Sequence, residues 1–212
     1  MMATTHAFAA LAVAAIVAIV LPEFAFVIAV AAIAGGIFPD LDLYAGHRRT
    51  LHFPIYYWVL GAVSAVVAIL VTTPTTIGLS IFVLAAGMHS TMDVFGGGLE
   101  LKPWEGTSDR AVYSHYHDRW LEPRRWIRYD GAPEDLLLSG LLVIPAALVF
   151  GDPIDTVVLG LLAVSVGYVL VRKPLVVVAE RVLERIPEPV FDAIPDQVLP
   201  MDEADLERFR ER

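Results

Sequence analysis

The residues in this 212-residue chain that could do chemistry are histidines and aspartates, and they fall in two short clusters. The chain has no cysteine, so a disulfide or thiolate site is excluded and any metal must be held by His, Asp or Glu. The first cluster runs Pro39-Asp40-Leu41-Asp42 and then His47-Arg48-Arg49-Thr50-Leu51-His52. Pro39 ends an apolar run, and two carboxylates just beyond it can reach one cation together, with His47 and His52 following round the same turn. The second cluster is His89-Ser90-Thr91-Met92-Asp93, whose i, i+4 spacing puts His89 and Asp93 on one helix face. His6 precedes a further apolar run and joins the set as a third contribution. These residues define a candidate metal set of His6, Asp40, Asp42, His47, His52, His89 and Asp93. Asp42 is the candidate proton acceptor and Arg48 the candidate phosphate holder. His115 and His117 alternate in a polar loop, which a loop surface explains as well as a ligand role does. Glu134 and Asp135 read as negative charge at a helix start.

The elements that must position these side chains are apolar helices. Hydrophobic residues make up 57% of the chain and charged ones 18%, and the excess sits in long runs. That distribution excludes disorder and an ordinary soluble enzyme, and it points to an all-α polytopic membrane protein. The runs predict six spans, at about residues 6–21, 24–38, 54–72, 76–92, 135–150 and 154–172. The first two are joined by a tight hairpin at Leu21-Pro22-Glu23, because a single Pro-kinked helix would leave Glu23 in mid-membrane. The start lacks the basic residues of a secretory signal and reads as a retained membrane helix. The organisation expected is a membrane domain over 1–172, with a cytoplasmic, interfacial loop at 94–134, and an acidic cytoplasmic tail over 173–212. From about Val178 the tail has the pattern of an amphipathic helix, broken at Pro187.

All 15 Lys and Arg fall in the longer connections and the tail, none in the short alternate connections. The positive-inside rule then places both long loops and both termini in the cytoplasm, so every histidine lies on or near that face. The net charge is −9, and the six basic residues of the loop Phe95–Pro133 are matched by six acidic ones. No basic surface for nucleic acid is expected, and the expected partners are membrane lipids. Trp104, Trp120, Trp126, Tyr113, Tyr116 and Tyr129 leave that loop two readings: an interfacial segment at headgroup level, or a small folded cap with the aromatics as its core.

The motif order Pro39-Asp40-x-Asp42, His47-Arg48-x-x-x-His52 and His89-x-x-x-Asp93, with an early His6, resembles the YdjM-like inner-membrane proteins, described as predicted metal-dependent hydrolases. The resemblance covers about residues 1–103, and it departs from the family's Thr-His-Ser where this chain has Thr50-Leu51-His52. It implies a metal site and a hydrolytic role. The expected function is a membrane-embedded, metal-dependent hydrolase using a divalent ion, zinc first and manganese or iron next. Its substrate would be a phosphoester of a lipid or lipid-linked molecule at the cytoplasmic face. The alternatives are a non-enzymatic membrane protein with a structural metal and a metal transporter. Transport is disfavoured because no ionisable residue falls at mid-span.

The charge distribution generates the first test. With Thr73→Cys and Lys102→Cys introduced singly, membrane-impermeant maleimide on intact cells should label the first and spare the second. The reverse pattern would overturn the topology.

Overall fold

The computed structural model describes residues 1–199 and 201–211, of Gln197 the backbone only. The chain is mostly helical. Six principal helices follow the apolar runs: α1 (Ala3–Val20), α2 (Ala25–Ile37), α3 (Tyr56–Leu70), α4 (Pro74–Met92), α5 (Pro133–Val149) and α6 (Ile154–Leu183). Among the described residues, four helical segments are long and apolar enough to cross a membrane: Ala3–Val20, Pro22–Asp42, Pro74–Phe95 and Ile154–Leu183. Tyr56–Leu70 is apolar but shorter. Large apolar side chains such as Ile16, Ile69, Leu148 and Leu170 stay exposed along the helices, as expected of surfaces that meet lipid.

Small residues set how α1, α2 and α4 pack. Ala7, Ala10, Ala14 and Ala18 recur at helical spacing on the buried face of α1, and Ala29, Ala32, Gly35 and Gly36 are buried on α2. Such stripes let helix backbones approach closely, which is how helices associate where lipid removes the hydrophobic drive. The end of α2 is the tightest point. A Cβ on Gly36 would stand 2.8 Å from the Ala7 Cα and 3.0 Å from the His6 carbonyl oxygen, and one on Gly35 would stand 2.2 Å from the Phe82 carbonyl oxygen. Gly35 and Gly36 are thus wedged between α1 and α4. The contact also shows that α1 and α2 form an antiparallel hairpin, turned by a 3-10 segment at Pro22–Phe24. Thr73 caps α4 through a reciprocal capping box with Thr76.

Buried polar contacts tie the other helices to the start of α1. Asp135, at the start of α5, accepts hydrogen bonds from the Met2 amide at 2.8 Å, the Thr5 hydroxyl at 2.6 Å and the Gly131 amide at 3.0 Å. Its role therefore extends beyond a favourable charge at a helix start. On α6, Ser165 donates to the Thr4 hydroxyl at 2.7 Å.

Helix α6 runs past residue 172, through Lys173 and Pro174, to Leu183, and so takes in the amphipathic stretch expected from about Val178. Proline need not end a helix where neighbouring groups accommodate the freed carbonyl. Beyond it come two short helices, α7 (Glu188–Phe191) and α8 (Glu203–Arg210). Phe191, Met201, Leu206 and Phe209 form a small core with Leu101 and Leu183 against them, so the tail packs on the long loop. That loop is a folded cap. Strands β1 (Val112–Ser114) and β2 (Arg119–Leu121) pair antiparallel, with Tyr113 opposite Trp120. Trp104 packs edge-on to Tyr129 with the Lys173 ammonium over both rings, whereas Trp126 is 74% exposed. Asp130 pairs with Arg172 at 2.8 and 3.0 Å and accepts from the Tyr168 hydroxyl. Burial alone would raise the Asp130 carboxyl, but the Arg172 charge and its hydrogen bonds hold it below the usual carboxylate range.

The glycine wedge generates a prediction. Gly36→Ala should lower stability by ~1–3 kcal/mol through overpacking and push α1 from α2. In detergent the variant should melt several degrees below wild type; an unchanged melting temperature would show that the wedge is not tight.

Candidate metal centre

Residues distant in the sequence meet at the end of the bundle where α1 starts and α2 and α4 finish. The 3-10 segment Phe38–Asp42 follows α2 directly, because Pro39 cannot continue the α-helical hydrogen-bond ladder. Asp40 and Asp42 leave it on different sides. Asp40 keeps a side chain 24% exposed, whereas Asp42 has no exposed side chain. The loop that follows brings back His47 and His52, and α4 delivers His89 and Asp93 from its last turn.

Asp40, His52, His89 and Asp93 each offer one ligand atom, and the four atoms lie within 4.8 Å of one another. His89 Nε2 lies 3.3 Å from Asp40 Oδ1 and 3.4 Å from an Asp93 oxygen, Oδ2. His52 Nε2 lies 3.3 Å from that same Asp93 oxygen and 3.8 Å from Asp40 Oδ1. A tetrahedral ion with bonds of ~2.0–2.1 Å separates its ligand atoms by ~3.3–3.4 Å, so most of these edges match one.

The second ring nitrogens decide the chemistry of the first. His52 Nδ1 lies 2.9 Å from Asp42 Oδ2, and His89 Nδ1 lies 2.6 Å from the Gly36 carbonyl oxygen. Both partners only accept, so each Nδ1 carries the proton. Each Nε2 is then the ring atom left to meet a cation, and both Nε2 atoms face carboxylate oxygens. His52 Nε2, His89 Nε2 and Asp93 Oδ2 are buried and have no hydrogen-bond partner among the described residues. Buried polar atoms are rarely left so, because each costs about 1–3 kcal/mol. A divalent cation among them satisfies all at once, and the donor set of two imidazoles and two carboxylates fits one.

The other sequence candidates surround this group. Asp42 stands behind His52, and both its oxygens are filled. Oδ1 accepts from the Arg48 amide at 3.2 Å and sits 3.1 Å from His47 Nδ1, while Oδ2 accepts from the Leu51 amide at 3.0 Å as well as from His52. His47 is therefore held outside the group by Asp42. His6 stands behind Asp93, with Nε2 2.9 Å from Oδ1 and its ring stacked on His89 at 3.8 Å. That contact turns the other Asp93 oxygen toward the centre. The Met1 amino group lies 3.2 Å from the same Oδ1. Arg48 is buried in a left-handed backbone conformation (φ 57°), and it donates to the Gly97 carbonyl at 2.7 Å. Its Nε has no hydrogen-bond partner and lies 3.7 Å from Asp93 Oδ2. His115 Nε2 meets the Arg49 carbonyl oxygen and His117 Nδ1 meets the Ser114 hydroxyl, so neither belongs to the four-donor group.

Sequence reasoning missed the Gly36 carbonyl, a backbone acceptor with no side-chain signature; the adjacent glycines near the end of an apolar run were its one available signal. It also missed Asp42's role as the group that orients two histidines.

No family of known sequences, no curated protein and no solved structure matches this chain.

The orienting role of Asp42 is testable. Asp42→Asn keeps the shape but weakens the acceptor that fixes the His52 tautomer. Affinity for a divalent ion, measured by competition with a chromophoric chelator, should fall about 10- to 100-fold. Unchanged affinity would remove Asp42 from the site.

Proposed function

We propose that the protein is a multi-pass membrane protein whose six principal helices all cross the bilayer, and that it is a metal-dependent hydrolase at the cytoplasmic face. The convergence of unpartnered His52, His89 and Asp93 atoms with Asp40 at one bundle end carries this reading. The charge asymmetry of the connections supports the orientation, and the motif order's resemblance to the YdjM-like family supports hydrolysis. Zinc suits the near-tetrahedral edges; manganese and iron also accept this donor set. A bound divalent ion would supply Lewis acidity toward a phosphoryl oxygen and lower the pKa of water.

The chain's own residues then divide the remaining work. Hydrolysis of a phosphoester forms a P–O bond from water and breaks the bond to the leaving alkoxide. One water proton must be removed and one proton delivered to the leaving oxygen. His47 is placed for proton transfer: Asp42 holds Nδ1, Nε2 has no hydrogen bond, and the side chain is 16% exposed. Asp42 thereby acts through His47 and His52 as a positioning residue and does not meet the reacting atoms. Arg48 brings a fixed positive charge beside Asp93, which offsets the carboxylates and favours an anionic substrate. Asp40, the one partly exposed member of the four, marks the side on which substrate arrives. The substrate in this reading is a phosphoester of a lipid or lipid-linked molecule.

One observation favours a second reading. Four protein donors with three of them buried can close a tetrahedral shell, and a closed shell is the mark of a structural site. The two readings part in one experiment. Protein purified without chelator should carry about one divalent ion, and His89→Ala should lose it. Metal-free wild type would end both readings. His47→Gln should keep the metal while turnover of phosphatidic acid or an isoprenoid phosphate falls about 10²- to 10⁴-fold. If wild type has metal but no chelator-sensitive turnover across such substrates, and chelation lowers only its melting temperature, the site is structural.

A further inference from the structure

A cavity of about 520 Å³ opens beside the four-donor group. This lies within the ~300–1,000 Å³ typical of small-molecule sites. Its lining includes Asp40, His47 and Arg48 beside the donor group and several residues of α6. Asp40 belongs both to the donor group and to the cavity, so the cavity is the approach to that group.

The lining mixes two chemistries. Arg48 is buried with an unpartnered Nε. Glu100 also lines the cavity, is 5% exposed, and neither of its carboxyl oxygens has a hydrogen-bond partner. Burial pushes the Glu100 carboxyl above its ordinary value. From α6 the lining takes Val164, Leu175 and Val176, with Ser165, Tyr168 and Arg172 between them. Val164 is 60% and Leu175 52% exposed, so this part of the lining is continuous with the outer apolar face of the helix. Only 17% of the apolar window of α6 is buried within the protein. A lining that joins exposed apolar positions of α6 to a buried arginine and a buried carboxyl suits an amphiphile that enters sideways.

We infer that this cavity is a lipid site: it takes an anionic phospholipid laterally from the bilayer, with the phosphoryl head between Asp40, Arg48 and Glu100 and one acyl chain along Val164, Leu175 and Val176 of α6. The inference rests on the metal-centre reading for how the head is held and on the cavity alone for where the chain lies. Its occupant is a phosphoryl lipid and not free phosphate, because the larger part of the lining is apolar and each buried methylene strengthens binding roughly fourfold.

The test is photo-crosslinking in nanodiscs with phosphatidic acid carrying a diazirine in one acyl chain, followed by peptide mapping. Labelling should concentrate on α6 between Val164 and Val176 and exceed that on the lipid-facing α3. Leu175→Trp and, independently, Val164→Trp should cut the α6 labelling at least fivefold and leave α3 labelling unchanged. Both positions are exposed, so neither variant disturbs the packed core. A diacylglycerol probe should label α6 at least fivefold less, and excess inorganic phosphate should not abolish the phosphatidic acid signal. Labelling spread evenly over all helices, or unaffected by both tryptophans, would overturn the inference, as would equal labelling by diacylglycerol or complete loss to inorganic phosphate. Chelation separates the two ideas. If α6 labelling persists without metal and still falls with Leu175→Trp, the lipid site stands and its dependence on the metal centre fails. If chelation removes it, both stand.

Discussion

The close approach of α2 to α1 and α4 at Gly35 and Gly36 is the constraint on which the rest of the structure depends. A side chain at either position would collide with backbone of a neighbouring helix. Because neither has one, the end of α2 sits between the start of α1 and the last turns of α4. Three consequences follow from that one contact. His6 stacks on His89, the Gly36 carbonyl accepts from His89 Nδ1, and the chain leaving α2 places Asp40 against His89 Nε2. The candidate metal centre is built on backbone proximity first and on side-chain chemistry second.

Around that point the polar groups fall into two tiers. The inner one is Asp40, His52, His89 and Asp93; among the described residues His52 Nε2, His89 Nε2 and Asp93 Oδ2 have no hydrogen-bond partner. The outer one is Asp42, the Gly36 carbonyl and His6, each touching an inner member from behind. Acceptors behind histidines fix which nitrogen keeps its proton, and so they direct lone pairs to the centre. Asp42 holds four groups with two oxygens, which explains why a carboxylate so near the centre faces away from it. The tension between readings lies here too: the same burial that makes a cation favourable also closes the shell, and the side of Asp40 facing the cavity is where catalysis would need room.

The long loop and the tail enclose this end of the bundle. The β1–β2 hairpin, the Asp130–Arg172 pair and the small core around Phe191 and Phe209 form a cap beyond the helices. That cap supplies Glu100 and Leu101 to the cavity beside the centre, while α6 supplies Val164, Leu175 and Val176. The continuation of α6 to Leu183 is what allows one helix to line the cavity and also carry the tail core.

Much of this was legible in the sequence. The positions of the six helices follow from apolar run length, since a helix in lipid must satisfy its own backbone and shield it with apolar side chains. The i, i+4 spacing of His89 and Asp93 puts both on one face whatever the surroundings, and Pro39 follows the end of the second apolar run. The absence of cysteine limits the ligands by composition alone. Other features needed tertiary structure. Whether Asp42 is a ligand or a support depends on which way a 3-10 turn sends two carboxylates two residues apart, and that is set by the loop returning from His52. The exclusion of His47 has the same origin, since Asp42 captures its Nδ1. The Gly36 carbonyl and the helical passage through Pro174 depend on neighbours far away in the chain. Local spacing fixes which residues can share a face; only long-range packing decides which atoms of those residues point at one another, because that direction depends on contacts the spacing does not contain.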